Sequence, residues 1–362
     1  MKRLFISSTK QGDGNTMITL GLMKVISERT GKIGFIKPLG LRELLLPDYA
    51  IDYDASLMER IFSLHANIRD MNPVTLDKDS LEELADPKKR KEFLKEIAES
   101  FSRVSEGRDI VFIMGNTGAS CGCVYGLSNA SIAKELDAKA LILTSGGIGH
   151  PLDEAALNIN YYRSEKVEVL GVIFNKVYPR EVDKLRSFGA KFLKGQGAEL
   201  LGVIPYNKLL GAPTVRDVAE QIEGKFVSGE QHVDNRVSRI LVGAMGAGQA
   251  AGFFENNCLL ITGGDRTDMI LAALVYSNLP EGQRIKFAGL VLTCGVKPPA
   301  EIVSLLRKAG LPAIVTDKDS YTVGSRVSQM QTRISPANKH KIDIISDMVR
   351  RHVEVDKLCE LI

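Results

Sequence analysis

The stretch Leu4-Phe5-Ile6-Ser7-Ser8-Thr9-Lys10-Gln11-Gly12-Asp13-Gly14-Asn15-Thr16 decides the reading of this chain. An apolar run feeds a glycine-bearing loop, and Met17, Leu20, Met23 and Ile26 then recur at the spacing of one helix face. Strand, glycine loop and helix is the layout in which backbone N–H groups and a helix N-terminus hold phosphate oxygens. Against the pattern G-x-x-x-x-G-K-[ST], Gly12 lies inside the loop, Gly14 fills the second glycine and Thr16 the hydroxyl that binds magnesium. Thr9 stands in place of the first glycine and Asn15 in place of the lysine. Lys10 lies one residue after the first position of the pattern, where some ATPases carry an additional signature lysine.

The rest of the chain supports a layered α/β fold. Apolar runs at Lys32–Gly40, Asp109–Gly115, Ala140–Thr144, Val169–Phe174 and Leu200–Pro205 read as buried strands, and helical stretches separate them. That alternation predicts a parallel sheet with helices on both faces and right-handed crossovers. Lys37-Pro38 falls at a strand's C-terminal end, the edge where parallel sheets bind ligands. Asp54 is placed to cap the helix that follows it. Residues 77–106 are strongly charged, with Leu84, Phe93, Leu94, Ile97 and Phe101 at helical spacing, and Lys88-Lys89-Arg90-Lys91 reads as that helix's solvated face.

A second, smaller α/β unit is expected from about Pro213, with about four strands at Ile240–Ala244, Cys258–Thr262, Gly289–Thr293 and Ala313–Thr316. Residues 214–222 read as a connecting helix and 224–231 as a polar break, while 336–362 carry Ile342, Ile345, Met348, Val349 and Val353 at helical spacing. The expected division is 1–212, 213–330 and a helical tail at 331–362.

Composition narrows the classes. A 44% hydrophobic content is ordinary for a folded protein, and a net charge of +3 with interspersed signs gives no field for nucleic acid or membrane. No apolar run approaches the ~18 residues that a membrane helix needs. The apolar run after Met1-Lys2-Arg3 ends at Ser7, too short for a secretory core, and five cysteines without framework spacing point to a cytoplasmic protein. Cys121-Gly122-Cys123 has no second ligand pair at metal-binding spacing, and His150 reads as a surface histidine. Gly146-Gly147-Ile148-Gly149 reads either as a second anion loop or as a tight turn.

The opening loop, Phe35–Gly40, Asp54-Ala55, Asn175-Lys176-Val177, Gly202–Pro205 and Thr262-Gly263-Gly264-Asp265-Arg266-Thr267-Asp268 together resemble one family. They are similar to the dethiobiotin-synthetase-like P-loop domain and the DRTGG domain that form the N-terminal region of long phosphate acetyltransferases. The resemblance ends at Ile362 and does not extend to the acetyltransferase catalytic domain, so acetyl transfer is not implied. It implies ATP or another nucleotide as ligand, with Mg2+ at Thr16 and Asp54, adenine read by Asn175, and Lys37 as the catalytic lysine if the chain is an enzyme. Lys10, Gly12, Gly14, Asn15, Thr16 and Asn175 are then the nucleotide-binding set. The family's metal-binding glutamate aligns with Met114, whose thioether cannot replace a carboxylate on a hard ion. In the second unit Gly264, Asp265 and Arg266 form an anion candidate, with Asp265 as N-cap, while Asp268 and Met269 replace the glycine pair of the DRTGG name.

Three functions follow. The first is a nucleotide-binding regulatory protein with little or no turnover, a homo-oligomer (a dimer) with a partner in acetate or acyl-phosphate metabolism. The second is an ATP-dependent C–N ligase or synthetase of the dethiobiotin or cobyrinate-amidating type, not an acetyltransferase. The third is a scaffold that binds no nucleotide and mediates oligomer or protein contacts.

Overall fold

The computed structural model describes residues 1–40, 43–45, 50–75, 87–330, 334–336 and 338–362. They form two compact units, one of residues 1–207 with 334–362, the other of residues 208–333. No helix among the described residues is long and apolar enough to cross a membrane.

The first unit is built on six strands, β1 (Lys2–Ser8), β2 (Ile33–Ile36), β3 (Ile110–Thr117), β4 (Lys139–Ser145), β5 (Val169–Val177) and β6 (Glu199–Pro205). Their order is β6-β5-β4-β1-β3-β2, and every pairing is parallel. Near-continuous apolar runs suit this arrangement because both sheet faces are covered: Leu4, Phe5 and Ile6 of β1 are fully buried. From β1 the chain crosses towards β2, and from β4 it crosses the other way, to β5. The loops after β1 and β4 therefore diverge, and they open the crevice in which parallel sheets bind ligands.

Helix α1 (Asn15–Thr30) follows the opening loop. The sequence gives it one apolar face, but Ile18–Met23 and Val25-Ile26 are all buried. The second covered face comes from the helix Lys339–His352, which an extended Val353 separates from the last helix, Val355–Leu361, where the sequence predicts one helical tail. Its Ile345 and Val349 lie 2.8 and 2.7 Å from where a side chain at Gly21 would begin. Glycine lets the two helices approach closely.

The strand expected within Lys32–Gly40, running into a loop, is short. It ends at Ile36, Lys37 N donates to Met71 O, and Leu39-Gly40 pairs instead with Val74-Thr75, because Pro38 has no N–H for the main sheet. Helix α2 (Tyr53–Phe62) is capped by Asp52, which accepts from Asp54 N, so the capping expected of Asp54 falls two residues earlier and frees Asp54 for the site. Helix α3 (Pro87–Ser105) buries Ile97 and Phe101 and exposes Lys88–Lys91; Leu84 lies outside the described residues.

The second unit has five strands, β7 (Lys225–Ser228), β8 (Arg239–Val242), β9 (Cys258–Gly263), β10 (Gly289–Thr293) and β11 (Ala313–Val315), in the order β7-β11-β10-β9-β8. Strand β7, antiparallel to β11, corrects the polar break expected over residues 224–231. Its apolar pair, Phe226-Val227, is only partly buried at a sheet edge and leaves no run to detect. Thr214 caps the helix Val215–Gln221 in a reciprocal box with Asp217.

Candidate phosphate-loop site

The opening loop is shaped by conformations that side chains resist. Gly12 and Gly14 have φ of 88° and 95°, and a side chain at Gly14 would begin 2.4 Å from Asn175 Nδ2. Between them sits Asp13, fully buried. Its Oδ2 accepts from Lys10 N at 2.8 Å and Thr9 Oγ1 at 2.9 Å, and its Oδ1 accepts from Ser145 Oγ at 2.6 Å. This one carboxylate ties the loop to itself and to the end of β4.

The end of β5 supports the loop from outside. Asn175 Nδ2 donates to Asp13 O at 2.8 Å, and Lys176 Nζ donates to Gly12 O at 2.6 Å. Lys176 takes a left-handed φ of 55°. Burial pushes its ammonium below the usual lysine range, with Asp13 opposing the shift. The first helix-type bond of α1 is Ile18 N to Gly14 O, so the N–H groups of Asn15, Thr16 and Met17 have no intrahelical acceptor. Those donors, at the positive end of a sixteen-residue helix beneath a pinned loop, suit an anionic ligand.

The remaining predicted residues gather at this end with altered roles. Asn15, in the lysine position, donates from Nδ2 to Gly115 O at 2.9 Å. The Lys10 side chain is exposed. Thr16 Oγ1 donates to Asp54 Oδ1 at 2.9 Å, and Lys37 Nζ lies 3.1 Å from Asp54 Oδ2, with both ionic side chains only 4% exposed. The Mg2+ set that the resemblance implies does not fit this arrangement. Both Asp54 oxygens are engaged, one by the Thr16 hydroxyl and the other by the Lys37 ammonium, and Met114 is buried in β3. Among the described residues no group of three or more His, Cys, Asp or Glu side chains could hold a metal.

Other candidates resolve into structural roles. His150 is exposed and pairs with Glu154 at 3.2 Å. Cys121 is half-buried and Cys123 exposed, and both are free thiols. Burial pushes the Cys121 thiol up, with the nearby Lys37 opposing. Gly146 N donates to Asn175 O at 3.0 Å, which links the 146–149 loop to β5.

In the second unit, the helix Thr267–Ser277 has Arg266 in its cap position and no side-chain cap, so Asp265 does not cap it through its carboxylate; Asp265 O accepts from Thr267 N at 2.8 Å instead. The Arg266 guanidinium forms a bidentate pair with Asp268, both bonds 2.9 Å, and also donates to Gly243 O and Met245 O. Asp268 raises the guanidinium further and is itself held below the usual carboxylate range by Arg266. The cation expected to clamp an anion is engaged in pinning the loop after β8. Gly264 packs closely on the segment after β10: a side chain there would begin 1.7 Å from Val296 O.

Asp13, Ser145 and Lys176 were not candidates on sequence. An acidic residue between two glycines at a strand-to-helix turn, and a lysine directly after Asn175, were the signals available.

Residues 2–214 match the family profile described as AAA domain, and residues 217–330 match that of the DRTGG domain. The phosphate acetyltransferase of Pseudomonas putida is 28% identical over 368 residues, covering 98% of this chain and 51% of that protein. That of Pseudomonas aeruginosa is 26% identical, covering 99% and 52%. The chain thus spans about half the length of these curated relatives, and the resemblance to their N-terminal region read from the sequence is borne out. Among solved structures, the MinD cell division protein of Aquifex aeolicus matches with 17% identity and TM-score 0.35, covering 57% of this chain and 83% of that one. The CBS and DRTGG regulatory region of Clostridium perfringens pyrophosphatase matches with 21% identity and TM-score 0.27, covering 32% and 46%.

Proposed function

The chain belongs to the AAA domain family, and from that membership we propose that its first unit binds a nucleotide at the Ser8–Thr16 loop and acts as a regulatory module with little or no turnover. The observation that carries this is the loop itself. Asp13, Asn175 and Lys176 hold it from within and without, and the free N–H groups of the first turn of α1 lie beneath it.

Weak turnover follows from what the site lacks. Phosphoryl transfer depends on positioned charge. Here Asn15 is neutral and turned to Gly115, and Lys37 is held 3.1 Å from Asp54 rather than free to follow a transferring phosphoryl group. The relatives named phosphate acetyltransferase support a place in acyl-phosphate metabolism, with a partner from that chemistry. Five free cysteines suit a reducing cytoplasm. A homodimer belongs to the same reading.

Calorimetric titration with ATP, ADP and GTP tests it. Binding in the submillimolar range with negligible phosphate release is the expected result. No heat at millimolar nucleotide overturns it and leaves the scaffold. ATP turnover that is lost in Lys37→Ala replaces it with the ligase.

A further inference from the structure

The site contains a cation of its own. Lys37 stands at the end of β2, and its ammonium lies 3.1 Å from Asp54 Oδ2 with 4% of the side chain exposed. The other Asp54 oxygen holds Thr16, the hydroxyl at the second position of α1. In a metal-dependent phosphate loop, a hydroxyl and a carboxylate placed in this way share a hydrated divalent ion. Here the ammonium completes that pair. A dication brought to Asp54 must displace Lys37 into a buried setting or stand against its charge, and both are unfavourable. The exposed Lys10 and Lys176, whose Nζ donates to Gly12 O, add positive charge around the loop that holds Asp13.

We propose that Lys37 replaces the divalent cation, so that the opening loop takes the phosphates of a nucleoside di- or triphosphate without Mg2+. The proposal rests on the nucleotide reading for its ligand but not for its metal test. Asp54 serves to hold the ammonium beside Thr16. Lys37 is a positioning and charge-supplying residue of a metal-free site.

Two measurements on the full chain decide it. Paramagnetic resonance of Mn2+ with nucleotide-free protein should show the free-ion signal undiminished for the parent and for Lys37→Arg. Lys37→Met, which releases the Asp54 carboxylate, should take up one Mn2+ per chain, and the added Asp54→Asn change should abolish that uptake. Calorimetry with ATP should give parent affinities in EDTA and in Mg2+ that agree within about twofold, whereas Lys37→Met should bind at least about tenfold tighter with Mg2+.

Mn2+ uptake by the parent that is lost in Asp54→Asn overturns the proposal, as does ATP binding that requires Mg2+. If Lys37→Met does not fold, the parent and Lys37→Arg still decide between the two outcomes. If ATP binds in neither buffer, the nucleotide reading fails, and the Mn2+ measurement alone decides the role of Lys37.

Discussion

Replacing Asp13 by alanine should destabilise the first unit while leaving the second untouched. The buried carboxylate accepts from Lys10 N, Thr9 Oγ1 and Ser145 Oγ at 2.8, 2.9 and 2.6 Å. Hydrogen bonds to a charged group are each worth roughly 1.5–3 kcal/mol. Burying the charge offsets much of that total, by several kcal/mol. Removal does not strand every donor. Thr9 Oγ1 keeps Thr144 Oγ1 at 3.0 Å, and Lys10 and Ser145 are open enough for water to reach them. The net loss should therefore be about 2–3 kcal/mol, nearer one charged hydrogen bond than three. A unit of this size loses roughly 2–4 °C of melting temperature per kcal/mol, so its calorimetric transition should fall by about 4–12 °C. The transition of the other unit serves as the internal control. A first transition within about 1 °C of the parent would refute the assignment of Asp13 as the fastener of the loop.

Asn175→Ala removes the buried amide that holds Asp13 O, and should weaken nucleotide binding, read by calorimetric titration, and lower the first transition by a few degrees, at roughly 1–3 kcal/mol. Gly21→Ala places a methyl group against Ile345 and Val349, and should cost about 1–3 kcal/mol by overpacking, measured as a lower first transition. Burial raises the Cys121 thiol, so at a given alkaline pH it holds less thiolate than an unperturbed cysteine. Iodoacetamide should accordingly label exposed Cys123 before Cys121, with the gap narrowing as pH rises, followed by peptide mass mapping.

Much of this architecture is legible without coordinates. The near-continuous apolar runs of β1, β3, β4 and β5 imply a parallel sheet covered on both faces, and the glycine loop after β1 locates the crevice. The features that sequence does not reveal depend on partners distant in the chain or on side-chain direction. The second buried face of α1 exists because Ile345 and Val349 return from the far end of the chain, which periodicity within α1 cannot register. Strand β7 is an edge strand whose short apolar pair carries no period. Asp13 looks like a solvated turn residue until the positive φ values of Gly12 and Gly14 are known, and those turn its carboxylate inward. Arg266 fits an anion clamp by residue type alone, but its donors meet Asp268 and the carbonyls of Gly243 and Met245.

Amide hydrogen exchange with and without ATP tests nucleotide binding at the opening loop most directly. Added protection should be confined to that loop with the first turn of α1, near residues 9–18, and to the end of β5 around Asn175 and Lys176. Protection elsewhere with none in these two segments would contradict it.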